Sequence, residues 1–194
     1  MQKQYSLKSD DVALVEAIIS WWSREMEDRV TLDGWNTFLV TFMFNHIPEP
    51  PPKKLKLMQD SVCRFYSKLV TRIVRKPNSI YQLVNRPRMI TAPDYPVFKY
   101  EKIGLQAATV NDGLHMHSIL AVPLKSRLKE GIASHVARKS YLYIKPPLRN
   151  IHFLPIEGNI KGVTDYALKA VKHRRCRWED VLFLPKSPSE LSGK

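Results

Sequence analysis

Apolar residues recur along this chain with a period that switches between helical and alternating, and the switches mark out its elements. Behind a Ser9-Asp10-Asp11 start, Val12, Val15, Ile18, Ile19 and Trp22 fall at helical spacing and predict an amphipathic helix to about Asp28. Residues 35–44, from Trp35 through Thr41 to Phe44, are β-prone and nearly continuous in apolar character, as a central strand would be. A stiff proline-rich connector over 47–52 leads into a second helix over 53–75, with Leu55, Met58, Val62, Phe65, Leu69 and Ile73 on one face.

Further on, residues 85–88 read as an irregular basic patch carrying Arg86 and Arg88. Residues 97–103 and 105–110 are predicted as extended segments, and 113–123 as a strand after an Asn111-Asp112-Gly113 turn. A basic helix is expected over 124–140, extended chain over 141–144, and a strand over 150–156. A helix over 161–175 with Val163, Ala167, Ala170 and Val171 on one side and a short strand over 180–184 complete the series. The order predicts an α+β fold: a central antiparallel sheet with helices mainly on one face, and the other face free to carry chemistry.

Two features of composition narrow the function. The chain carries a net charge of +13, unevenly spread. Residues 1–33 hold four basic and seven acidic residues, whereas the remainder holds 27 and 11. A basic body of this kind favours a polyanionic partner, nucleic acid above all. The longest apolar runs fall short of a membrane span, the first residues lack a signal-peptide core, and two distant cysteines suggest a reducing compartment. The expectation is a cytoplasmic, bacterial-type intracellular protein without a membrane.

The chemistry concentrates in two stretches. On the predicted strand over 113–123, side chains alternate, so His115 and His117 share one face while Met116, Leu120 and Val122 take the other. Two imidazoles one pleat apart form a pincer for a divalent metal. On the predicted helix over 161–175, Tyr166 and Lys169 stand three residues apart, which sets them side by side. A phenol is a poor nucleophile at neutral pH, and a neighbouring ammonium favours its anion or the charge developing on a phosphate.

Taken in order, Trp35 to Phe44 with Thr41, the His115-Met116-His117 run, and Tyr166-Ala167-Leu168-Lys169 resemble the three motifs of the HUH endonuclease superfamily, in its single-tyrosine replication-initiator (Rep) branch. The resemblance covers residues 34–184. It implies a ferredoxin-like catalytic domain over 34–185; outside it, an N-terminal helical extension is expected over 1–33, packed on or beside that domain, and the Ser/Pro/Gly/Lys composition of 186–194 predicts a disordered tail. It further implies Mg²⁺ or Mn²⁺ held by His115, His117 and a third ligand from a neighbouring strand, for which Glu101 stands first, Gln106 second and Glu157 third. Tyr166 would be the nucleophile and Lys169 its helper, with Arg86, Arg88, Lys172, Arg174 and Arg175 on DNA phosphates.

The implied activity is site-specific nicking and transfer of single-stranded or hairpin DNA through a 5′-phosphotyrosine, as in rolling-circle replication initiation. No helicase P-loop follows, so unwinding would fall to a separate helicase or replication protein, or the chain is the excised catalytic domain of a longer one. A transposase-like recombinase of the same superfamily is equally compatible with one tyrosine. A non-catalytic nucleic-acid-binding module, stacking bases on Tyr100, Tyr143 and Phe153, is the reading from a different class. A cupin site lacks its glutamate after His117, and a two-histidine phosphoesterase lacks its repeated His-x-Ser/Thr.

Overall fold

In the computed structural model, residues 9–95 and 110–186 are described. Five strands form one antiparallel sheet: β1 (Asn36–Phe44), β2 (Arg88–Asp94), β3 (His115–Val122), β4 (Leu148–Pro155) and β5 (Leu182–Leu184), in the order β4-β1-β3-β2-β5. The helices are α1 (Ser9–Asp33), α2 (Pro51–Ile73), α3 (Ile132–Arg138), α4 (Ser140–Tyr143), α5 (Ile160–Ala167) and α6 (Lys169–Lys172). The α+β sheet and the N-terminal helix match the pattern of the sequence. No helix among the described residues is long and apolar enough to cross a membrane.

The alternation along each strand builds two cores, one on each face. Even-numbered residues of β1 and β3 (Val40, Phe42, Met116, Leu120) meet the stripe Met58, Val62, Phe65, Leu69 and Ile73 of α2. Phe65 stands at the centre of that core, its ring centroid 5.1 Å from Phe42 and 5.6 Å from Tyr143. On the opposite face, Ile119, Ala121, Ile90 and Ala92 meet Val15, Ile19, Trp22 and Met26 of α1, together with Ala167, Leu168, Ala170 and Val171 around α5 and α6.

The second face is therefore not left free as the sequence pattern suggested. Tertiary packing closes an acidic N-terminal helix over it, with Trp22 buried and Trp21 left 57% exposed. Among the described residues only the β4 side stays open, where Asn150, His152 and Leu154 are exposed.

Several local expectations change. Arg88, read as the end of a basic irregular patch, opens strand β2, whose Pro93 is tolerated because β5 pairs only with Met89, Ile90 and Thr91. Residues 141–143, in the stretch expected to be extended, belong to α4, because burying Tyr143 against Phe65 and His135 outweighs the β propensity of Tyr141, Leu142 and Tyr143. The helix expected over 124–140 is confined to α3, and the one over 161–175 breaks at Leu168 into α5 and α6. Pro51 and Pro52 belong to the first turn of α2, where a missing N–H costs nothing. The strand expected over 97–103, with Tyr100 and Glu101, and residues 105–109 of the next expected segment, with Gln106, lie outside the described residues, as does all of the expected tail except Lys186.

Candidate active site

The register of the sheet assembles the site. In the β2–β3 ladder Asp94 stands directly opposite His115, and Ala92 opposite His117; in the β1–β3 ladder Thr41 stands opposite His117. All of these side chains except that of Ala92 carry polar atoms on the face shared with α5 and α6. The turn before β3 fixes the entry of the chain. Asn111 and Asp112 both adopt φ 56° and Gly113 φ 74°, left-handed conformations that Asn, Asp and Gly tolerate best. Buried Asn111 then clamps the chain leaving β1, accepting from the Ile47 N–H (2.8 Å) and donating to the Asn45 carbonyl (2.9 Å).

Asp94, His115 and His117 converge. The two Nε2 atoms lie 3.0 Å apart, and Asp94 Oδ2 lies 3.6 Å from His115 Nε2 and 3.5 Å from His117 Nε2. An ion held about 2.1 Å from each donor separates neighbouring donors by about 3.0 Å in octahedral and about 3.4 Å in tetrahedral coordination. The three atoms are thus spaced as one face of a coordination shell, and the group could hold a metal ion.

The outer bonds agree with that chemistry. His115 Nδ1 donates to the Gly113 carbonyl (2.8 Å), which puts its proton there and leaves the Nε2 lone pair facing inward. His117 Nδ1 lies 3.1 Å from Thr41 Oγ1. A hydroxyl both donates and accepts, so Thr41 serves either tautomer of His117. Without a metal, His117 Nε2–H can donate to His115; with one, both Nε2 atoms turn lone pairs to the ion. Burial, reinforced by the His115 and Lys169 charges, pushes the His117 imidazole down to about 3. It is therefore neutral at physiological pH, the form a metal requires.

Asp94 is 1% exposed and surrounded by cations. Lys169 Nζ lies 2.9 Å from Oδ2, and an Arg175 guanidinium nitrogen 3.8 Å from Oδ1, an oxygen without a hydrogen-bond partner among the described residues. Arg175 also donates to the Tyr95 carbonyl (2.8 Å). Tyr166, in the last turn of α5, places its ring centroid 5.3 Å from that of His117, and Lys169 Nζ sits 4.0 Å from the Tyr166 ring centroid. The phenol and the imidazoles therefore share one side of the sheet, with Tyr166 46% exposed.

No family model, curated protein or solved structure matches this chain. Its chemistry therefore rests on these residues alone.

Of the residues predicted from the sequence, His115, His117, Tyr166 and Lys169 meet in one place. Arg175 meets them too, turned inward to Asp94 rather than outward. Lys172 is held by Asp165 at 2.7 Å, and Arg174 lies on the turn after α6 with φ 57°. Arg86 and Arg88 stand at the opposite end of the strands from Asp94, since Arg88 pairs with Ala121. Glu157 is exposed in the turn after β4 and takes no part in the metal group. Glu101 and Gln106 lie outside the described residues. Asp94 was not anticipated, although it is the lone acid in residues 61–100, a stretch otherwise basic.

Lys169 and a metal compete for the same carboxylate oxygen. Lys169→Met should therefore raise Mn²⁺ affinity several-fold, on the order of tenfold for one close charge, as read by calorimetric titration. An unchanged or weaker affinity would show that the ammonium does not oppose the ion.

Proposed function

We propose that this chain is a metal-dependent, site-specific nickase and strand transferase for single-stranded DNA, of the HUH replication-initiator type. The observation that carries the reading is the meeting of the Asp94-His115-His117 group with Tyr166 on one face of the sheet, in a strongly basic chain. Asp94 takes the place of Glu101 as third ligand in this reading. A hard divalent ion such as Mg²⁺ or Mn²⁺ on that mixed N/O group supplies Lewis-acid polarisation of a phosphate oxygen.

The chain's own residues do the rest. The open β4 side of the face, with Asn150, His152 and Leu154 exposed beside Thr41 and Leu39, gives a single strand a way to Tyr166. The Tyr166 oxygen attacks phosphorus in line, its proton passing to solvent, and the bond to the 3′ oxygen breaks to leave a free 3′-OH and a 5′-phosphotyrosine. Lys169, over the Tyr166 ring, favours the phenolate and offsets charge on the phosphate. The ester retains the phosphodiester's energy, so a later 3′-OH reseals the strand without ATP. In this reading the protein acts in the cytoplasm, with a helicase or replication protein as its partner in opening duplex.

The non-catalytic reading loses two of the aromatics it relied on. Tyr143 is 4% exposed, and Phe153 packs edge-on to Phe38 at 6.1 Å within the α2 core. The proposal is tested by incubating the protein with end-labelled single strands and hairpins in Mn²⁺. A denaturant-resistant protein–DNA adduct that disappears in EDTA is expected, and the absence of any adduct across a randomised strand library refutes the reading.

A further inference from the structure

Far from Tyr166, the other end of the sheet carries a second concentration of charge. β3 advances about 23 Å from His115 to Val122 at about 3.3 Å per residue, and the chain then enters a loop over 123–131. That loop is anchored. The Arg127 N–H donates to the Ile73 carbonyl at the C-terminus of α2 (3.1 Å), the Leu128 N–H to Ser126 Oγ (3.1 Å), and the Leu128 side chain packs against the α2 core. Leu128 turned inward leaves Lys125, Arg127 and Lys129 exposed.

Two clefts meet at Arg127. One, of about 310 Å³, is lined by Arg72, Arg127, Lys129 and Arg138 with Glu130 and His135; the other, of about 500 Å³, by Arg75, Lys125 and Arg127 with Gln82 and Asn85. One turn back along α2, a third cleft of about 330 Å³ carries Arg64, Lys68 and Lys145 and no acid. Glu130 is the lone carboxylate lining any of the three. It is already engaged: His135 Nδ1 lies 3.1 Å from it, Arg138 pairs with it, and these two hold its carboxyl below the usual range. His135 is in turn fixed by Tyr143 Oη at 3.0 Å, so Glu130 stays with Arg138 and away from the rest of the groove. Among the described residues, Arg72, Arg75, Lys125, Arg127 and Lys129 have no acidic partner.

We propose that these clefts, centred on Arg127, form a second nucleic-acid site that grips the phosphodiester backbone on the α2 face of the sheet, away from the nicking centre. The basic row along α2 from Arg64 through Lys68 to Arg72 extends about 12 Å at about 1.5 Å per residue. That length exceeds any single phosphate and matches about three to four nucleotide steps at about 3.4 Å each. Guanidinium forks, which dominate the row, suit phosphate oxygens, and Gln82 and Asn85 add neutral donors. Contacts of this kind carry no sequence information; they set the register of the strand relative to Tyr166. The inference rests on the nucleic-acid reading above, but not on its chemistry.

The test is a binding titration in EDTA, where no nicking occurs, of a labelled hairpin with a single-stranded tail at several salt concentrations. Arg72→Gln/Arg127→Gln/Lys129→Gln alters exposed side chains only, and a thermal melt checks its fold. It should lower affinity at least about tenfold near 0.1 M salt and flatten the slope of log K against log salt by about 2 to 3, given about 0.9 per duplex phosphate contact. Lys53→Gln/Lys56→Gln, at the other end of α2 and paired with Glu49 and Asp60, should leave the slope as it was. Parallel lines for wild type and the triple variant overturn the second site alone. No binding by the wild type overturns the second site and the nucleic-acid reading together.

Discussion

Tyr166→Phe should abolish the covalent adduct and cut strand nicking by at least about 10³-fold, the scale on which losing a covalent nucleophile is felt. The substitution removes one oxygen from a ring that is 46% exposed, so the core of α1, α5 and α6 loses no packing. Mn²⁺ affinity, thermal stability and binding of an uncleaved strand should all remain at wild-type levels. That separation distinguishes a nucleophile from a residue that merely shapes the site. Gel assay of end-labelled strands beside a calorimetric metal titration checks both halves at once, and a variant that still forms adduct would move the nucleophile elsewhere.

Asp94→Asn has the second large effect, on two quantities. Metal affinity should fall at least about 100-fold, more than is typical for losing an outer-shell partner, because the carboxylate is the group's only anion. Stability in EDTA should also fall, by about 3 kcal/mol, because Lys169 and Arg175 are left beside a neutral amide with their charges largely out of water. Lys169→Met added to Asp94→Asn should recover much of that stability and none of the metal binding. Urea unfolding in EDTA and Mn²⁺ titration of the single and double variants read the two effects apart. Wild-type Mn²⁺ affinity in Asp94→Asn would remove this carboxylate from the metal group.

The parts of the site that the sequence displays are those set by local period. His115 and His117 share a face because strand side chains alternate, and Tyr166 meets Lys169 because a helical turn separates them, even across the break at Leu168. The third ligand depends instead on pairing. Asp94 reaches His115 only through the β2–β3 register, after a connection over 95–114, and β2 is disguised by Pro87 before it and Pro93 within it. The better signal was chemical: a solitary carboxylate among the eight Lys and Arg residues of positions 61–100 needs a buried purpose. Arg175 went unplaced for a related reason, since net charge cannot say which guanidinium turns inward to an acid. The covering of the second sheet face by α1 was equally hidden, because an acidic helix with one apolar stripe can pack on any apolar surface.

The central claim is that Tyr166 becomes the site of the phosphodiester bond. Mass spectrometry of the denatured adduct, after digestion with trypsin and nuclease, reads it directly. Cleavage after Lys161 and Lys169 yields a peptide of residues 162–169 containing Tyr166 as its single tyrosine. The account predicts a 5′-linked nucleotide mass on that peptide, fragmenting at the tyrosine. The same mass on any other residue, with this peptide unmodified, would contradict it.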